Sequence, residues 1–541
     1  MRLIFNLFRK SFALALALAL LAGCLSACGG ESGGEKGWRA REVTMLDDNA
    51  RTWYEIFVGS FCDSDGDGTG DLQGVISQLD YIQDLGFNGI WLMPIMPSPS
   101  YHKYDVTDYL EIDPAYGSMA DFEALAAECD KRGIKLIIDL VLNHTSSEHP
   151  WFTEACGYLE SLGPDQEPDP ADCPSYGYYN FVKGDPSSPT WYQAGSSDYY
   201  YEGVFWSGMP DVNFESQDLR REFEAVMDFW LEKGAGGFRL DAVKEFYSGS
   251  VGKNVEVLDW VNRYTKSVKP DAYLVGEAWE GLGTYSQYYA SGIDSFFDFE
   301  FAGPTGIISK TLNYSGADNS AQAYAKALVR VQNAIREVRA DAIDAPFFVN
   351  HDMNRAAGYM SYDARKVKMA GALNVLMSGS AFVYYGEEIG MTGSGSKDEN
   401  KRAPMYWSAD PSAKGMTKGP ADMEPQENRF PCAEEQRKTQ DSIYSFYKDT
   451  ILLRNQNPEI ARGTVARLED IEDPDIAAIS KTWEDSTIYL LYNISESDEK
   501  QVEMGQYGQL EIAGYLSADG GEVTMTDGIV TMPAYSVVVL R

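Results

Sequence analysis

Cysteine, histidine and positive charge are all scarce in this chain of 541 residues, and each scarcity removes a class of protein. Two of the cysteines, Cys24 and Cys28, lie near the N-terminus; the other five are Cys62, Cys129, Cys156, Cys173 and Cys432. No Cys-x-x-Cys pair occurs, so zinc-ribbon and thioredoxin patterns are absent. Cys156 and Cys173 flank one loop-rich stretch and admit either a disulfide or two thiols, while Cys129 falls on the apolar face of a predicted helix. Lys plus Arg number 45 against 82 Asp plus Glu, a net charge of −37. That field repels phosphate backbones and anionic lipid surfaces, which argues against nucleic acid as a partner and favours a neutral or cationic substrate. Beyond the N-terminus there is no second apolar span and no internal repeat, which speaks against a polytopic membrane protein or a solenoid. What remains, 44% hydrophobic and 13% aromatic, is a globular composition long enough for two to four structural units.

The first residues read as a targeting segment. Arg2, Arg9 and Lys10 precede an apolar run from Phe12 to Ala22, too short to span a bilayer, as in a signal peptide. It ends in Leu21-Ala22-Gly23-Cys24, which resembles a bacterial lipoprotein signal whose Cys becomes the lipidated first residue. The expectation is a signal at residues 1–23, a Gly-rich tether at 24–46, and a protein held by lipid on the extracellular face of a bacterial membrane.

From Trp53 to Tyr385, short β-branched or aromatic runs alternate with amphipathic helical stretches. Eight strands are predicted: Trp53 to Phe57, Gly89 to Leu92, Lys135 to Leu140, Gly237 to Leu240, Tyr273 to Gly276, Ser295 to Phe299, Pro346 to Val349 and Phe382 to Tyr385. One intervening helix has Ser118 as N-cap, Asp121 in a capping-box position and Gly133 as its stop; another runs from Asp218 to Lys233. This alternation predicts an α/β fold, a (β/α)₈ TIM barrel over 47–144 and 215–458, with its site at the C-terminal strand ends. Thr145 to Phe214 is far longer than a βα loop and predicts an inserted small domain, whose Tyr176, Tyr178, Tyr179, Trp191, Tyr192, Tyr199, Tyr200, Tyr201 and Trp206 suit sugar stacking or plain packing. After Pro458, alternating runs such as Thr487 to Tyr492 predict an antiparallel β-sandwich domain over 459–541.

Three carboxylates follow predicted strand ends: Asp241, Glu277 and Asp352. In a barrel they converge over one mouth. His102, His144 and His351 fall beside predicted strand ends or in the loops that follow them, and Arg239, two residues before Asp241, shares its face of the strand, where its cation favours an ionised carboxylate. Asp63, Asp65, Asp67 and Asp71 stand at positions one, three, five and nine of a Gly-rich loop, a pattern suited to Ca²⁺, although Gly74 replaces the closing Glu of an EF-hand.

With these residues in place, the chain resembles the α-amylase family of glycoside hydrolases. Asp139 to His144 resembles the family's first motif, Gly237 to Lys244 the second, the strand with Glu277 the third and Phe347 to Asp352 the fourth; Met209 to Asn213 is intermediate between oligo-1,6-glucosidase and neopullulanase forms. The resemblance implies Asp241 as nucleophile, Glu277 as general acid/base and Asp352 as transition-state stabiliser. It further implies sugar contacts from His102, Tyr104, His144, Arg239, Lys244, His351, Asp398 and Arg402, and a calcium ligand from the Thr69 carbonyl. Asn143 and Asp211 match a second calcium site of some amylases, but Glu245 replaces another of its members and the site stays unassigned. The implied activity is α-amylase hydrolysis of internal α-1,4 bonds; 4-α-glucanotransferase, neopullulanase-like and non-catalytic glucan-binding readings stay open.

Overall fold

The computed structural model describes residues 37–43, 45–163, 165–314 and 320–541. The expected signal, Cys24, Cys28 and most of the tether lie outside the described residues. No described helix is long and apolar enough to cross a membrane.

The predicted alternation becomes a barrel of parallel strands. β1 (Thr52–Ile56), β2 (Gly89–Leu92) and β3 (Lys135–Leu140) precede the insert, which carries β4 (Phe181–Lys183), β5 (Trp191–Gln193) and β6 (Tyr199–Glu202). The barrel resumes with β7 (Gly237–Leu240), β8 (Tyr273–Gly276), β9 (Ser295–Asp298), β10 (Ala345–Pro346) and β11 (Ala381–Tyr384). Their order is β10-β9-β8-β7-β3-β2-β1-β11, and a single parallel bridge between Phe347 and Phe382 joins the two ends. Strand periodicity sends Trp53, Trp91, Ile137, Tyr273, Val275, Phe297 and Phe382 into one buried cluster that fills the barrel. The Trp53 indole stacks on Tyr273 at 4.8 Å and on Phe382 at 5.7 Å. It can do so because position 89 is glycine: a Cβ there would come within 2.4 Å of the indole.

Helix caps follow the sequence signals. Ser118 and Asp121 form the predicted capping box of Met119–Lys131, while the next predicted helix spans Gln217–Glu232, capped by Ser216. The seventh strand departs from expectation, ending at Pro346 instead of running to Val349. Pro346 has no N–H to donate, and beyond it the Phe348 carbonyl accepts from Gly303 at 2.8 Å, outside the sheet.

The insert's aromatics serve mainly as its core. Tyr178, Tyr179, Tyr199 and Tyr201 are buried, and of the aromatic side chains expected to stack on sugars only Trp206 is half exposed. Cys156 and Cys173 are both free thiols, and Cys129 is buried.

The C-terminal region folds as a five-stranded antiparallel sheet: β12 (Thr464–Arg467), β13 (Ile476–Trp483), β14 (Ser486–Asn493), β16 (Ile512–Ser517) and β19 (Ser536–Leu540). A second sheet holds β15 (Lys500–Glu503), β17 (Thr524–Thr526) and β18 (Ile529–Met532). Polar side chains stitch this region to the barrel. Lys481 Nζ, fully buried, donates to the Leu376 and Ile460 carbonyls, and Gln322 and Gln332 of a barrel helix donate to the carbonyls of Ile476 and Gly463. Lys368 reaches the Ala518 carbonyl.

Candidate active site

Asp241 directly follows β7 and Glu277 directly follows β8, so neighbouring strands bring the two carboxyls to the same mouth. Asp352 lies further along the chain, in the loop after β10. All three line one cavity of about 460 Å³, together with His102, Tyr104, His144, Lys244, Asp398 and Arg402.

Beneath that cavity Arg239 links the acids. Its Nη1 donates to Asp241 Oδ1 at 2.6 Å and to Asp139 Oδ1 at 2.8 Å; its Nη2 donates to Glu277 Oε2 at 2.8 Å. The guanidinium is 1% exposed and lies 5.2 Å from the Trp91 ring centroid. Glu277 Oε2 also accepts the Ala242 N–H at 3.1 Å. Ala242 provides that N–H from a left-handed conformation, φ +46, that costs a non-glycine residue about 1–2 kcal/mol. Lys103, between His102 and Tyr104, is left-handed as well, φ +65, and its buried ammonium pairs with Asp113 at 2.5 Å.

These contacts separate the protonation behaviour of the acids. Burial raises the Glu277 pKa, with the Asp241 and Asp352 charges adding to it against Arg239. Burial acts in the same direction on Asp352, but His351 and then Arg402 and Arg239 outweigh it and hold that carboxyl well below the usual range. Burial pushes Asp139 up to about 7 despite Arg239. His351 behaves oppositely: burial disfavours its charge, yet Asp352 and Glu55 raise it to about 9. Carboxyls of raised and of lowered pKa therefore stand side by side, the condition for acid/base division of labour.

Two expected sugar contacts do not reach the cavity wall. Arg239 is spent on carboxylates, and His351, 1% exposed, sits behind Tyr104 and Asp352, its Nε2 2.7 Å from the Tyr104 hydroxyl and 3.2 Å from Asp352 Oδ2. His144 does reach the wall, and its buried Nε2 has no partner among the described residues. Arg402 bridges Asp352, at 3.1 Å, and Asp398. Asp398 also accepts from the Tyr101 hydroxyl at 2.5 Å.

Sequence reasoning passed over Asp139, Glu55, Phe205 and Trp279. Asp139 Oδ2 accepts from Trp91 Nε1 and the Tyr104 hydroxyl, at 3.3 and 3.2 Å. Phe205 and Trp279 are half exposed on the cavity wall, with Trp279 stacked on Phe299 at 4.9 Å. A carboxylate inside an otherwise apolar strand was the readable signal for Asp139 and Glu55; the aromatic loop residues had none.

Of the four expected carboxylate ligands, three converge: Asp63, Asp65 and Asp71 bring carboxylate oxygens within 4.8 Å of one another. Asp67 does not join them; its Oδ1 accepts the Thr69 N–H at 2.6 Å. Gly66 and Gly68, at φ +90 and +101, make the loop curl. At the unassigned second position, Asp211 accepts from Asn143 Nδ2 at 3.1 Å and from the Val204 N–H at 2.9 Å.

A parallel (β/α)₈ barrel with paired carboxyls at neighbouring strand ends and a third beside them is the framework of a retaining glycoside hydrolase. Residues 55–463 match the α-amylase catalytic domain, and the chain belongs to that family. It is 37% identical over 443 residues to Alpha-amylase 3 of Dictyoglomus thermophilum, covering 82% of this chain and 84% of that one. It is 30% identical to an oligo-1,6-glucosidase of Parageobacillus thermoglucosidasius, covering 82% and 89% of the two chains. The solved structure of Eubacterium rectale Amy13B superposes with a TM-score of 0.91 at 45% identity, covering 94% of this chain and 99% of that one. The protein is thus an α-amylase-family hydrolase of α-glucans.

Replacing Asp139 by Asn keeps the side-chain shape but removes the charge that the carboxylate carries beside Arg239 above its pKa of about 7. The cation then favours ionised Glu277 more strongly, so the alkaline limb of kcat/KM on a chromogenic maltooligosaccharide should move to lower pH, with the larger loss above pH 7. An unmoved limb would show that Asp139 does not act on Glu277 through Arg239.

Proposed function

We propose that the protein is a lipid-anchored extracellular α-amylase that cleaves internal α-1,4 bonds of starch and maltooligosaccharides. The observation that carries this reading is the convergence of Asp241, Glu277 and Asp352 on one cavity, with Asp241 and Glu277 held on the same guanidinium. Glycosidic cleavage needs a proton on the leaving oxygen and a nucleophile within about 5–5.5 Å of the proton donor. Glu277, its pKa raised by burial, donates the proton while Asp241 attacks the anomeric carbon. Glu277 then accepts a proton from water, which hydrolyses the glycosyl-enzyme from the same face. Asp352, held ionised by His351 and Arg402, stabilises the oxocarbenium-like transition state. The unpartnered His144 Nε2 is available to a sugar hydroxyl.

Incubation with amylose, pullulan and maltotriose, with reducing ends counted and the first product followed by proton NMR, tests this reading. Random shortening of amylose with initial α-anomer is expected, and Asp241→Asn should abolish turnover while leaving binding. Disproportionation of maltotriose without new reducing ends would make the protein a glucanotransferase instead.

Calcium fits the loop from Asp63 to Asp71. Asp63, Asp65 and Asp71, whose carboxylate oxygens converge, would hold it. Its contribution is structural: a cation bound only by the folded chain stabilises it by RT ln(1 + [L]/Kd). Chelator should lower the melting temperature by several degrees, and Asp65→Ala should abolish most of that response; an unchanged melt with no calcium found by elemental analysis would exclude the ion.

The anchor rests on the Leu21-Ala22-Gly23-Cys24 ending of the apolar run. Two or more acyl chains on Cys24 would hold the enzyme stably at a membrane, where one alone is marginal. Cys24→Ser should release the enzyme to the medium or stall its processing; an unmodified Cys24 in the mass spectrum of the native protein would exclude the anchor there.

A further inference from the structure

We propose that Glu55, from the first barrel strand, is a positioning residue of this site, whose negative charge joins that of Asp352 in keeping the His351 ring a cation and through that ring fixes Asp352 against the substrate. The inference rests on the reading of Asp352 as the carboxylate that faces the sugar.

Glu55 points inward from β1 by strand alternation: Trp53 fills the core below it, while Tyr54 faces outward to bond Glu388. It is 1% exposed, and its Oε1 accepts from His351 Nδ1 at 2.6 Å and from the His351 main-chain N–H at 3.3 Å. Among the described residues no Lys or Arg lies within ion-pair distance of Glu55; the imidazole is its one cationic partner there. A buried carboxylate without a counter-ion is expensive, so carboxylate and imidazolium stabilise each other.

The other groups facing the ring fit the same assignment. From the loop after β2, the Tyr104 hydroxyl meets Nε2 at 2.7 Å and donates its own hydrogen bond to Asp139 on β3. Asp352 stands 3.2 Å from Nε2, and Trp91 on β2 contributes an uncharged ring edge at 5.6 Å. Arg402 lies beyond Asp352, and Arg239 lies beyond the Tyr104 hydroxyl, to which it donates at 3.4 Å, and is paired there with Asp139. From β1 to the cavity the charges alternate: Glu55, His351, Asp352, Arg402, Asp398. With both ring nitrogens protonated, Nδ1 is taken by Glu55 and Nε2 donates toward Tyr104 and Asp352, so the ring has one orientation. A neutral ring has one proton for these partners and leaves either Glu55 or Asp352 without its donor.

A purely structural role would need only a hydrogen-bond acceptor at position 55, and Glu55→Gln provides one. The variant therefore separates charge from shape. Because the chain has only four histidines, selective ¹⁵N-histidine labelling resolves the His351 ring without any substrate. The ring should titrate near 9 in the parent protein, and Glu55→Gln should lower that midpoint by about one unit or more, toward the ordinary value of about 6.5. kcat/KM on a maltooligosaccharide should then fall at least about twofold more at pH 8 than at pH 6, since a ring that loses its proton around pH 8 still keeps it at pH 6. Glu55→Asp, which keeps the charge, should recover most of the pH 8 loss, and if Glu55→Gln does not fold, the Asp variant still reports a smaller downward step in the midpoint. An unchanged midpoint, or equal losses at both pH values, overturns the proposal. A lowered midpoint in a protein that leaves α-glucans uncut would retain Glu55 as the anchor of the ring and overturn only the substrate reading.

Discussion

The buried Arg239 guanidinium is the constraint around which the site is organised. One planar fork, fully desolvated, contacts Asp139, Asp241 and Glu277, which reside on or follow three adjacent strands. Three carboxyls packed together without a cation would repel one another and force at least two to be neutral. With it, the positions of the attacking and proton-donating groups are set by one rigid hydrogen-bonding pattern, and their spacing no longer depends on flexible loops.

A second layer of opposite charges extends sideways from this centre. His351 and Arg402 flank Asp352, and Arg402 is shared with Asp398. Each charge has an opposite neighbour, which is how a cavity carrying so many ionisable groups stays compatible with burial. The left-handed Ala242 and Lys103 belong to the same economy of placement: local backbone strain turns an N–H toward Glu277 and separates His102 from Tyr104, and the surrounding packing sustains it.

Much of this was legible in the sequence, for identifiable reasons. The barrel strands are short runs bounded by breakers, and carboxyls that immediately follow such runs, as Asp241 and Glu277 do, can be placed by topology alone. The capping box at Ser118 is local chemistry and reads directly. What escaped was set by tertiary packing. Glu55 and Asp139 show in the sequence as carboxylates inside apolar strands, but the register of the closed barrel is what turns them toward the site. Pro346 shortened a strand that hydrophobicity alone extends to Val349. In the insert, aromatic density reported a small core rich in tyrosine, whereas the ring that reaches the cavity, Phe205, is one more apolar residue in a loop.

The polar stitching between the barrel and the C-terminal sheets bears on how this architecture can be rearranged. Lys481 reaches from β13 to carbonyls at Leu376 and Ile460, while Gln322, Gln332 and Lys368 reach in the other direction. Cutting the chain at the domain junction would expose or orphan main-chain carbonyls that currently have buried donors, at about 1–3 kcal/mol each. The two regions therefore behave as one cooperative block, and recombination that swaps the β region for a foreign module must import a matching donor at the Lys481 position to preserve the catalytic barrel.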